Sequence, residues 1–329
     1  MPSSNPHQQP PRDLTRYGWL SVGTAIVVIA LKYFAYLITG SVGMLSDAAE
    51  SVVNLVAAIV AVVVLRIAAK PADKNHNFGH SKAEYFSAWL EGLMIFLAAA
   101  FIIYSAVERL ITPSEIENVG FGLLISVLAS LINGVVAVVL LRAAREHRSH
   151  TLKADGIHLL TDVWTSVGVV IGVLLVALTG WLWLDPVIAI VVGTNILIAG
   201  FRLVSESTGG LMDVSWPKEE NRQLAEIVRR FRTDDVDIHA LRSRVAGAQR
   251  FAEMHVLVPG NWSVWKGHDL IEDIEAAIRE QFADVEVSCH LEPIEDPRAY
   301  GDFPAEITLN DAEPATRYRH REPPPIPEA

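Results

Sequence analysis

Glu50-Ser51-Val52-Val53-Asn54 and His158-Leu159-Leu160-Thr161-Asp162 each set two polar side chains four residues apart inside a long apolar run. That spacing places both members of a pair on one helix face, about one turn apart. An ionisable group at bilayer depth costs a few kcal/mol or more, so by default it marks an ion path. The two half-sites fall in the second and fifth apolar runs and together can close around a single metal ion. The plainer alternative is that they only pair helices through hydrogen bonds. Asp47 shares the face of Glu50 and Asn54, and Ser51 adds a weak oxygen nearby.

Working outward, six apolar runs lie at about 18–39, 42–66, 84–108, 118–142, 157–180 and 185–205. Each is near the ~20 residues that a bilayer core demands, so six transmembrane helices are expected. Arg12 and Arg16 precede the first run. Arg66, Lys70, Lys74 and Lys82 separate the second from the third, and Arg142, Arg145, Arg148 and Lys153 separate the fourth from the fifth. The opposite loops, Thr39–Ser41, Ile111–Asn118 and Trp181–Leu184, carry no Lys or Arg. The positive-inside rule therefore puts both termini in the cytoplasm. Residues 1–15 are polar, include Pro10 and Pro11, and read as a cytoplasmic tail, not a cleavable signal. Lys32, Glu91, Asn133 and Asn195 also lie within the runs and are read as structural, facing neighbouring helices or snorkelling.

Composition divides the chain sharply. Hydrophobic residues make up 51% of the 329, and mean hydropathy is +0.30. Residues 1–208 carry 13 Lys+Arg and 14 Asp+Glu, while 209–329 carry 14 and 24, so nearly all of the net −11 is C-terminal. An acidic soluble portion argues against nucleic acid and suits cations. The single cysteine, Cys289, excludes an internal disulfide and leaves too few thiolates for a Cys-type zinc site. No His-Glu-x-x-His or Gly-x-Ser-x-Gly motif points to a membrane enzyme.

Beyond Leu211 the period changes. Residues 217–231 read as a helix opened by Pro217, Glu219 and Glu220, and 266–282 as a second with Leu270, Ile271, Ile274 and Ile278 on one stripe. Residues 236–245, 250–258 and 285–291 read as strands, the first two joined through Gly247-Ala248. The order α-β-β-α-β describes a small α/β sandwich. The expected division is a tail at 1–15, membrane helices at 16–208, a soluble metal-binding and dimerisation domain at 209–292, and a Pro- and charge-rich disordered tail at 293–329.

Histidines add a second line of evidence. His76 and His80 stand four apart in a short loop with Asp73 three residues upstream of His76, a set of typical zinc ligands. His239, His255, His268 and His290, with Glu292, are spread over the expected strands and second helix. A sheet is able to bring the strand histidines together, but spacing alone does not show that they converge.

Three runs carry a family resemblance. Thr39-Gly40-Ser41-Val42-Gly43-Met44-Leu45-Ser46-Asp47-Ala48-Ala49-Glu50-Ser51, Phe78-Gly79-His80-Ser81-Lys82-Ala83-Glu84 and Ala154-Asp155-Gly156-Ile157-His158-Leu159-Leu160-Thr161-Asp162 resemble, in order, motifs of the cation diffusion facilitator family. The resemblance spans about residues 15–292. It implies a homodimer of six-helix subunits, each with a cytoplasmic metallochaperone-like domain, exporting divalent metal against protons from a bacterial inner membrane. It further implies a transport site at Glu50, Asn54, His158 and Asp162, a loop site at Asp73, His76 and His80, and a binuclear site at His239, His255, His268, His290 and Glu292. Lys82 and Asp213 match a pair that links subunits in some members.

Three positions depart from the family pattern. Glu292 stands where Asp is frequent, Glu50 where zinc-transporting members usually carry Asp or His, and Asn54 where they carry Asp. The amide removes a charge and favours harder ions such as Mn²⁺ or Fe²⁺, whereas His158 favours Zn²⁺ or Co²⁺. The expected function is proton-coupled efflux of Zn, Fe, Co or Mn by alternating access. Divalent metal, protons and membrane lipid are the expected partners, and no nucleic acid. The alternative is a membrane-bound metal sensor or scaffold without transport.

Overall fold

The computed structural model of the chain describes residues 13–39, 42–112, 120–181 and 183–300, with Ile307 and Leu309. The N-terminal tail before Asp13, the loops expected on the face opposite the basic ones (in part) and most of the tail after Tyr300 lie outside the described residues. The chain forms two compact units, one ending at Leu211 and the other beginning at Met212.

The first unit is six helices, α1 (Thr15–Thr39), α2 (Val42–Ala68), α3 (Ala83–Ile111), α4 (Gly120–His147), α5 (His150–Thr179) and α6 (Leu184–Leu211). Five are long and apolar enough to cross a membrane, and the described apolar part of α2 covers Asn54–Ala68. α3 lies along α6, α1 along α2 and α4 along α5, while α5 packs against every other helix of the unit. Small residues permit the closest of these approaches. A Cβ on Gly200 would stand 2.8 Å from the backbone nitrogen of Phe96, so only glycine lets α6 meet α3 there.

The helices outrun the apolar stretches that announced them. α4 continues to His147 and α5 begins at His150, so Arg142, Arg145 and Lys153 are helical and the expected basic loop shrinks to Arg148-Ser149. Hydropathy marks only the lipid-facing length, whereas the extensions are held by buried Ala143, Ala144, Leu152 and Ala154. Ser149 accepts a hydrogen bond from the Leu152 backbone N–H as the α5 N-cap. Glu84 of α3 reinforces that end: its buried carboxylate accepts from the Ser149 hydroxyl and from the Thr151 backbone N–H. A negative group at a helix N-terminus is favourably placed against the helix dipole.

The second unit runs α7 (Lys218–Arg229), β1 (Asp237–Ala246), β2 (Gln249–Val258), α8 (Val264–Gln281), β3 (Val285–Pro293) and a 3-10 turn at Pro297–Tyr300. The order matches the α-β-β-α-β reading. β1 and β2 form an antiparallel hairpin turned at Gly247, where φ is +62°, and β3 joins β2 in parallel after the α8 crossover. One sheet face meets Leu224 and Val228 of α7 and Ile274 and Ile278 of α8 through Ile238, Leu241, Met254 and Val256. The chain stays ordered past Pro293, with Ala299 buried and the Tyr300 hydroxyl donating to the Ile294 carbonyl at 2.9 Å.

Arg250 ties the edge of this unit together. Its side chain is only 5% exposed, donates to Glu220 at 2.6 Å and Asp284 at 3.4 Å, and lies over the rings of Trp216 and Phe282 at 5.2 and 5.1 Å. Arg250→Ala removes both packing and charge pairing, and is expected to cost about 2–3 kcal/mol. The check is urea denaturation of residues 209–329, wild type beside variant.

Candidate metal centres

The polar pairs that opened the sequence meet inside the helical unit. Asn54 of α2 donates from Nδ2 to Asp162 Oδ2 at 2.8 Å, and its Oδ1 lies 2.9 Å from His158 Nε2. The carboxylate can only accept, so the amide must present its nitrogen to Asp162 and its oxygen to His158. His158 then carries its proton on Nε2. Its Nδ1 is buried without a hydrogen-bond partner, which leaves an imidazole lone pair in an enclosed place. Such an orphaned acceptor beside a carboxylate suits a divalent cation.

Sequence reasoning missed one member of this group. Asn133 of α4, 5% exposed, donates to the same Asp162 oxygen at 3.4 Å. It was read as one of four structural polar residues, because its partner lies 29 positions away and no local spacing links them. The hydroxyls of Thr161, Thr165 and Ser166 are turned back onto carbonyls of α5 and do not enlarge the set. The side chains of Glu50 and Asp47 lie outside the described residues; the α2 backbone places Glu50 one turn before Asn54.

The loop between α2 and α3 gathers a second group. His76 Nδ1 and His80 Nε2 each lie 3.5 Å from Asp73, one on each carboxylate oxygen, and the two rings are 4.4 Å apart. One ligand atom from each of the three residues fits within 4.8 Å of the others. Asp73 is held by the backbone N–H groups of Asn75 and His76, both at 2.8 Å, which keep its carboxyl below the usual range. Gly79, with φ +81°, makes the turn that returns His80 to Asp73. His80 Nδ1 is buried without a hydrogen-bond partner.

The third group lies on the sheet face away from α7 and α8. Register aligns His239 opposite His255 and His255 opposite His290, so three imidazoles form one row across three strands. Glu292 sits among them, 3.4 Å from His239, 3.2 Å from His255 and 3.4 Å from His290. His239, His255 and Glu292 are close enough to hold one ion. Burial pulls His255 below the ordinary histidine value, opposed by the Glu292 charge. His268 does not join them: it is exposed on α8 and paired with Glu272 at 3.8 Å. A helix on the opposite sheet face separates it from the row within one chain.

A bundle carrying a polar bridge at depth, joined to a soluble domain with its own ligand row, defines a membrane protein that handles cations. Residues 18–212 match the cation efflux transmembrane domain and residues 216–294 the cation efflux protein cytoplasmic domain. The chain belongs to the cation diffusion facilitator family of cation-efflux transporters. It is 49% identical over 301 residues to the uncharacterized transporter sll1263 of Synechocystis sp., covering 91% of this chain and 97% of that one. It is 30% identical over 275 residues to the cation-efflux pump FieF of Shewanella oneidensis, covering 84% and 92%. Among solved structures, the metal-bound C-terminal domain of the CzcD transporter from Thermotoga maritima is 28% identical, covering 24% of this chain and 92% of that one, with a TM-score of 0.22.

Asn133→Ala removes a donor that orients Asp162, and metal affinity of the purified protein in detergent is expected to weaken about tenfold. Calorimetric titration with Zn²⁺ measures it. In residues 209–329, His255→Ala with His290→Ala is expected to weaken zinc binding strongly. Because burial pulls the His255 pKa down, wild-type binding is expected to persist further into acid than it would for an unburied histidine, and to be lost as the imidazole protonates. Equal binding by the double variant would make these histidines mere surface residues.

Proposed function

We propose that this chain exports a divalent transition-metal cation, zinc or iron ahead of cobalt and manganese, from the cytoplasm in exchange for protons. The observation that carries the reading is the Asn54 amide bridging His158 and Asp162 between two membrane helices. The FieF relatives, named cation-efflux pumps, support efflux.

Asp162 and His158 are the ligands on α5, Glu50 is the carboxylate that α2 adds, and Asn54 offers a neutral carbonyl. Two carboxylates against a divalent ion leave the centre near neutral when His158 is uncharged. For Asn54 to bind the ion its oxygen must leave His158, so metal entry breaks the bridge and frees α2 from α5. That coupling of ligand exchange to helix contact suits alternating access by rocking helices. A protonated imidazole cannot ligate, so metal and protons compete for His158.

Asp73, His76 and His80 form a collecting site at the cytoplasmic mouth. The His239–His255–His290 row with Glu292 senses cytoplasmic metal and favours a closed homodimer, the second copy being the remaining source of His268. The basic loops support cytoplasmic termini by the positive-inside rule, in the inner membrane of a bacterium on this reading.

The test is Zn²⁺, Fe²⁺, Co²⁺ and Mn²⁺ uptake into everted vesicles at several fixed pH values, with and without an acidic lumen. Uptake is expected to rise with the gradient and to vanish in Asp162→Ala, with dimer and fold intact. His158→Asp is expected to shift preference toward Mn²⁺. Metal binding without flux in the wild type would leave a sensor or scaffold, and flux indifferent to pH would leave a uniporter.

A further inference from the structure

The helical unit buries a second pair of carboxylates that the metal centre does not use. Glu91 of α3 is 3% exposed and Asp155 of α5 is 4% exposed. Each has one oxygen engaged by a serine: Ser87 donates to Glu91 Oε1 at 3.3 Å and Ser21 to Asp155 Oδ1 at 2.9 Å. The other oxygen of each, Glu91 Oε2 and Asp155 Oδ2, is buried with no hydrogen-bond partner. The carboxylates lie within electrostatic reach of each other, and Asp155 also feels His158 one turn further along α5.

Among the described residues, neither carboxylate forms an ion pair with Lys or Arg. Asp155 of α5 lies within electrostatic reach of Glu91. At the nearby ends of α5 and α6, Lys153 is paired with Glu206, and Arg202 is exposed and forms no ion pair with either carboxylate among the described residues. Two uncompensated negative charges buried in a membrane bundle cost many kcal/mol, so a positive charge has to balance them. A metal ion would need more ligands, and among the described residues neither belongs to a group of three metal-ligating side chains able to hold an ion. A proton needs only the bare oxygens.

We propose that Glu91, buried with one bare carboxylate oxygen, is a proton-carrying group of the membrane domain, separate from the metal centre. This deepens the antiport reading and rests on it for its purpose. With both termini cytoplasmic, Asp155 lies nearer the cytoplasmic end of α5 than His158, and Glu91 stands as far into α3 as His158 does into α5. A proton displaced from the metal centre as metal enters is taken up on a bare carboxylate oxygen of these residues, the bond at its donor breaking as the carboxyl O–H forms, and that O–H breaks in turn when the proton passes to cytoplasmic water. Each serine holds one oxygen and leaves the other for the proton.

Infrared difference spectra of the purified protein in lipid, taken between acid and alkaline pH without metal, read the group directly. The carbonyl band of a protonated carboxylic acid is expected in the wild type, lost in Glu91→Gln and retained, shifted, in Glu91→Asp. Asp162→Ala keeps the band, which makes this readout independent of whether the chain transports metal at all. In vesicles, Glu91→Gln is expected to bind Zn²⁺ with unchanged affinity while its uptake loses dependence on the imposed proton gradient, and Glu91→Asp restores it. A band that survives in Glu91→Gln overturns the proposal. So does a band that Zn²⁺ removes equally in wild type and Asp162→Ala, since the pair would then hold metal. A wild type that shows the band but no gradient-driven flux keeps Glu91 as a proton site and overturns the antiport reading instead.

Discussion

A polar group inside a lipid-embedded bundle has no water to turn to, and this constraint organises the membrane domain around α5. Three of its polar residues find partners on neighbouring helices: Asp155 on α1 through Ser21, His158 on α2 through Asn54, and Asp162 on α2 and α4 through Asn54 and Asn133. The N-terminus of the same helix rests on Glu84 of α3. Packing repeats the pattern, since α5 packs against all the other helices of the unit. One helix therefore carries both the bundle's cohesion and its chemistry. A change in what His158 and Asp162 bind is felt by the contacts that hold the bundle together.

The soluble domain solves a different problem. Its sheet has to bury one face, and α7 and α8 cover that face with Leu224, Val228, Ile274 and Ile278. The opposite face is left to polar side chains. A strand period of two then puts His290 and Glu292 on the uncovered side of β3, with Cys289 and Leu291 turned inward. Cys289 is correspondingly inert, its thiol pushed up to about 12 by burial. On β1 an irregularity between His239 and Arg242, with Ala240 at φ +51°, lets Ala240 and Leu241 both face inward while His239 stays out.

How much of this was legible depended on the range of the interaction. The six helices were readable because a bilayer sets a minimum apolar length. Their ends were not, because α4 and α5 run on through segments such as Arg142–His147 whose hydropathy is mixed and whose helicity rests on buried alanines and a serine cap. Glu50 and Asn54, or His158 and Asp162, stood out through the spacing of one helical turn. Asn133 and Glu91 looked like ordinary polar residues in apolar runs, since what distinguishes them is a neighbour on another helix. The Asp73, His76 and His80 group was readable because a turn of four residues leaves few other arrangements.

By itself the sequence determined the class of each segment, the metal-ligating residue types and their likeness to a family, because periodicity and composition are local properties. Strand pairing lay beyond it. His239, His255 and His290 are separated by 16 and 35 positions, and only the antiparallel and then parallel register sets them in a row with Glu292. The tertiary structure likewise decided that Asn54 spans His158 and Asp162, that Asn133 joins them, and that His268 stands apart. The physical reason is the same in each case. A hydrogen bond or ion pair is decided by a few ångströms between atoms, and those distances exist only once separate elements have packed.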